Sequence, residues 1–230
     1  MPEPHLHAVP LGAPYPSAFA EGFLRRFGDK APEDLARVTI YTNTRRMAGA
    51  VADEIAQRAP GLLPRIRTIA ELHLDRAAAT LPPPADPLAL RLELTQLTRR
   101  LLERDPTLAP PDAAFDMAGS LLRLLGEMAG EGVTVETLRG LDLAEHSLHW
   151  ARSLDFISLV SRYLDLGGGA AEPEAHQRAV VASVIEAWSV APPENPVLVA
   201  GSTGSRGTTR LLMEAVARRP EGFVVLPGFD

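Results

Sequence analysis

The segment Pro196–Ala217, PVLVAGSTGSRGTTRLLMEAVA, constrains the fold more than any other stretch of the chain. Pro196 opens a run of four small or branched apolar residues, Val197–Ala200. The run is too short for a helix and suits a strand buried on both faces. Gly201, Gly204 and Gly207 then punctuate a polar loop. Thr208 or Thr209 is expected to cap the helix that follows, whose apolar stripe is Leu211, Leu212, Ala215 and Val216. A second strand is expected at Phe223–Leu226. Strand, glycine loop, helix and strand make half of an α/β unit, so the rest of the sheet must come from earlier in the chain.

It is found there. His5–Val9 is a short strand candidate, and Pro10–Pro16 is a rigid turn, because each proline fixes φ and removes an amide donor. Ser17 is expected to cap a helix to about Phe27, with Phe19, Phe23 and Phe27 on one face. Val38–Tyr41 reads as a strand, followed by a helix over about Arg45–Ala59 striped by Met47, Val51 and Ile55. Arg65–Ile69 reads as a strand and is expected to lead into a helix reaching about Ala79. The alternation β-α-β-α-β-α predicts a parallel sheet. Leu81–Pro87, with four prolines in seven residues, then breaks the pattern. Helical faces follow: Leu90, Leu94, Leu97 and Leu101; Ala118, Leu121, Leu125 and Met128; Trp150, Leu154, Ile157 and Leu164; Val181, Val184 and Trp188. Gly167–Gly169 separates the last two. A second proline-rich junction, Ala191–Pro196, returns the chain to the strand at 197. The expected architecture is an α/β, RecA-like parallel sheet: residues 1–81 begin the α/β domain, 82–195 form a large helical insertion, and 196–230 return to the α/β domain.

Composition narrows the chemistry. The chain has 230 residues and no cysteine, which removes disulfides, thiolate metal sites and cysteine nucleophiles. No apolar run approaches the roughly 20 residues that span a bilayer, and the first residues lack the pattern of a signal peptide. A cytoplasmic protein is expected, with no membrane association. The net charge of −6 is uneven: residues 80–195 carry 9 basic and 17 acidic groups, whereas the segments on either side are close to neutral. Of 23 basic residues only Lys30 is a lysine, and arginine suits bidentate contact with phosphate or carboxylate.

Tight nucleotide binding by a P-loop needs G-x-x-x-x-G-K-[ST]. Gly201 is followed five residues later by Arg206, and Gly12 by Ser17, with no lysine in place. No catalytic group and no cofactor are expected. The spacing G-x-x-G-x-x-G from Gly201 to Gly207 is similar to the nucleotide loop of extended short-chain dehydrogenases, and Asp230 lies about where an acidic ribose partner would be. A dinucleotide fold, however, builds the remainder of its sheet after that loop, and only thirteen residues follow the helix. His146 and His149 are three apart but lack an evident third metal ligand. Thr42-Asn43-Thr44-Arg45-Arg46 closes a strand and opens a helix. Its hydroxyls, amide, helix-start N–H groups and two guanidinium groups are of the kind that hold phosphates, and the alternative is a capped helix with solvated arginines.

In order, these pieces resemble a known family. VTIYTNTRRMAGAVADEI, Val38–Ile55, resembles the second conserved motif of superfamily 1 helicases, a strand followed by Thr-x-Thr-Asn and an amphipathic helix, which in those enzymes touches single-stranded DNA. Leu62–Leu72, His149–Val160 and Pro196–Leu212 are similar to the amino-terminal part of AddB-type proteins, the B subunits of bacterial AddAB helicase–nucleases, the alphaproteobacterial form above all. The resemblance implies a RecA-like helicase core with a helical insertion, an AddA-type helicase–nuclease partner, contact with single-stranded or unwinding DNA, and a role in double-strand break repair. In that family the helicase half of the B subunit is degenerate. Gly12 and Ser17 stand where a nucleotide loop would be, and Gly201, Ser202 and Gly204 where a helicase carries Gly-Asp and a glutamine. The family's nuclease and iron–sulfur cysteines belong to a carboxy-terminal region, so the chain is expected to be an amino-terminal portion without chemistry of its own. Two other readings stand beside this one: a fragment of a dinucleotide-binding oxidoreductase, and a purely structural interaction domain.

Overall fold

The computed structural model describes residues 4–106, 108–140, 157 and 171–228. Its centre is a five-stranded, all-parallel sheet built from β1 (Leu6–Val9), β2 (Thr39–Thr42), β3 (Arg65–Thr68), β4 (Val197–Ala200) and β5 (Gly222–Pro227), in the order β1-β5-β4-β2-β3. β4 is buried at all four positions, as its unbroken apolar run requires of a strand covered on both sides. Helix α1 (Tyr15–Phe27) follows β1, a single turn α2 (Pro32–Leu35) precedes β2, and α3 (Arg45–Arg58) joins β2 to β3. The register sets Ile40 beside Leu198 and Leu198 beside Phe223. These three belong to one apolar cluster with Phe19, Phe23 and Phe27 of α1 and Val51 and Ile55 of α3. Side chains alternate across a strand, so Tyr41, Val199 and Val224 point to the opposite face. That face receives helix α8 (Gly207–Ala217), which joins β4 to β5 and buries Leu212, Met213 and Val216.

The chain leaves the sheet after β3 and returns at β4. Between them lie α4 (Pro87–Arg104), α5 (Ala114–Glu131), α6 (Val135–Arg139) and α7 (Pro173–Val190). No strand occurs among the described residues of this stretch. α4 and α5 face one another through Leu94, Ala118, Leu121 and Leu125, with Met128, Val135 and the helical residue Ile157 in the same cluster. Of the third expected helical face, Trp150, Leu154 and Leu164 lie outside the described residues, as do Gly167–Gly169, His146, His149 and Asp230.

The chain forms two compact units, one of residues 80–179 and one of 1–79 with 180–230. The sequence places the second boundary at 195. It falls earlier because α7 carries Val180, Val181 and Val184, all fully buried, into the α/β unit, where Ser183 Oγ donates to the Ala77 carbonyl at 2.7 Å. Three local expectations are also corrected. Ser17 does not cap α1: the N-cap is Pro14, and Ser17 Oγ accepts from Arg58 Nη2 at 2.7 Å. α8 starts at Gly207 after an Arg206 N-cap, so Thr208 and Thr209 lie inside its first turn. The helix expected after β3 is two 3₁₀ turns, Ile69–Leu74 and Arg76–Ala78. A capping box between Thr68 and Glu71 starts the first, and Asp75, accepting from the Ala77 amide, starts the second and so interrupts a continuous helix.

Candidate functional site

All five strands are parallel, so their carboxyl ends lie along one edge of the sheet. At that edge β2 feeds α3 on one face and β4 feeds α8 on the other, and β2 and β4 are neighbours with Thr42 paired to Ala200. The crossovers therefore reverse direction between β2 and β4. In open α/β sheets the crevice at such a switch point is where ligands bind. The two segments singled out in the sequence, 42–46 and 201–204, thus lie side by side at this switch point.

Its β2 side separates structural from accessible groups. Thr42 is fully buried, with its hydroxyl 3.2 Å from the Thr44 carbonyl and 3.4 Å from the Arg67 carbonyl. Thr44 is the N-cap of α3, its Oγ1 accepting from the Met47 amide at 3.1 Å. These two residues shape the turn and hold the helix start. Asn43, Arg45 and Arg46 are exposed. Arg45 and Arg67 both lie in the field of Glu71, whose carboxyl is held below its ordinary range mainly by the Thr68 amide, then by the Thr68 hydroxyl, then by these two arginines. Glu71 thus offsets part of the charge of Arg45. Arg67, exposed at the end of edge strand β3, adds a third guanidinium that the sequence reading missed. The alternating burial of β3 signals it.

The β4 side is closed by packing. Gly201 has φ +73°, and a β-carbon there would lie 2.9 Å from Met47 Cγ. Its amide donates to Tyr15 Oη at 2.6 Å, and the same hydroxyl donates to the Val225 carbonyl at 2.7 Å. Ser202 is buried, its Oγ accepting from the Gly204 amide at 3.3 Å. Gly204 also has positive φ, +69°, with Met213 Sδ against its open side. The amide and the space that a pyrophosphate would use at Gly201 are thus taken by Tyr15 and Met47. The loop after β1 is no better furnished. Gly12 turns at φ +85° with nothing nearby, and the start of α1 carries Pro14 and Pro16, which have no amide to offer a phosphate. Tyr15, absent from the sequence reading, is the residue that joins the loops after β1 and β4. A tyrosine between two prolines gives no sign of a long-range bond.

Burial holds the Tyr15 hydroxyl neutral well above its ordinary value of 10.0, against a smaller opposing effect of the Gly201 hydrogen bond. The unfolded chain releases this proton at lower pH than the folded one. Stability from Tyr15 is therefore intact below about pH 10 and falls as pH rises above it. Tyr15→Phe should strand the buried Gly201 amide and cost about 1–3 kcal/mol. Urea titrations at pH 7 and above pH 10 check both points: the variant should be weaker at pH 7 and lose less than the parent on going alkaline.

Among the described residues no group of three or more histidine or acidic side chains is placed to hold a metal. None of the described helices is long and apolar enough to cross a membrane. Fold and edge together define an open, parallel α/β unit of RecA-like class, interrupted by a helical insertion, with exposed arginines at its switch point. No protein-family model matches the chain, and no curated protein matches it in sequence.

Proposed function

We propose that the chain is a helicase-like module of AddB type that binds single-stranded DNA at its switch-point crevice and cleaves no nucleotide itself. The observation that carries this reading is the crevice rim. Asn43, Arg45 and Arg46 are exposed at the start of α3, beside Arg67, at the edge where open parallel sheets take ligands. Guanidinium groups, an amide and helix-start N–H groups are phosphate partners without base preference. The occupied Gly201 amide and the proline-bound start of α1 support a module without a nucleotide cradle. By resemblance, the cytoplasmic partner is an AddA-type helicase–nuclease acting in double-strand break repair, and it supplies most of the DNA affinity.

The net charge of −6 keeps long-range attraction small, and one turn reaches about two or three phosphates. Affinity should lie at or below the roughly 10⁻⁴–10⁻⁶ M of non-specific complexes. Fluorescence anisotropy with a labelled oligonucleotide at low salt tests this. Arg45→Ala/Arg46→Ala should weaken binding and lower the salt slope by about 1.4, at roughly 0.7 per lost single-strand phosphate contact. Unchanged affinity and slope would leave the turn as a helix cap only and overturn the proposal.

A further inference from the structure

We draw no further inference here: the strongest candidate, the phenylalanine-lined cleft of about 510 Å³ between α1 and the edge strand β1, borders the outer rim of that strand, and nothing in the structure shows what covers it.

Discussion

Gly222→Ala should remove a large share of the stability of the α/β unit, although it adds a single methyl group. Gly222 begins β5, where the chain turns back from the end of α8. A β-carbon there would fall inside van der Waals contact of the Val216 carbonyl oxygen, 2.9 Å from that residue's carbonyl carbon and 2.9 Å from Arg219 Cβ. Two of these atoms are backbone and cannot rotate aside. Relief requires α8 to move off β5, which would break the Gly222 amide bond to the Arg219 carbonyl and the Val197 amide bond to the Glu221 carbonyl. A loss of about 4 kcal/mol or more is expected, in the range reserved for backbone strain and core disruption. Domains of this size hold only about 5–15 kcal/mol in total. Urea denaturation followed by circular dichroism would show the midpoint collapse. A variant within about 1 kcal/mol of the parent would mean that the α8–β5 turn yields more easily than its packing implies.

Ile40→Ala should have the next largest effect. Ile40 is fully buried on β2, between β3 and β4, in the cluster that includes Val51, Ile55 and Leu198. Both flanking strands are hydrogen-bonded to β2 itself and cannot close inward, so the lost side chain leaves most of its volume as a cavity. The expected cost is about 4 kcal/mol, within the usual range of about 2–5 for such truncations. Val225→Ala, at a partly buried position packed on the same cluster, should cost about 1–2 kcal/mol. Parallel thermal melts give the comparison, and equal losses at the two positions would contradict the packing described.

The contrast between these residues shows what the sequence carries. Ile40, Leu198 and Val224 sit in short branched runs bounded by polar turns, a pattern that identifies buried strands locally. All five strands, and the helical stretch between the third and fourth, were legible on that basis. Strand order was not, because no local pattern says that β5 lies between β1 and β4. The site was legible in pieces. Segments 42–46 and 201–204 each carried a local signature, but their meeting at one switch point depends on the pairing of β2 with β4. Within segment 42–46, composition alone treats Thr42 and Thr44 like Arg46, whereas the fold buries one hydroxyl and assigns the other to a cap. Tyr15 was invisible because both its partners lie about two hundred residues away. The continuous helix expected after β3 failed because Thr68, Glu71 and Asp75 bond locally in ways that favour short turns.

Strand order also sets the sequence in which the unit can assemble. Contacts between β2 and β3 close a loop of about 25 residues, whereas those joining β1 to β5 span 217. Each doubling of loop length adds about 0.6 kcal/mol of closure entropy, so the second pairing faces about 2 kcal/mol more than the first. On a ribosome making roughly 5–20 residues per second, β1 emerges early and waits on the order of ten seconds or more for its neighbour to be synthesised. Throughout that interval a short uncharged strand, followed in the chain by the phenylalanines of α1, stands without its mate. The aromatic face of α1, the later half of the sheet and any chaperone present compete for it, and their relative rates decide the yield of native protein.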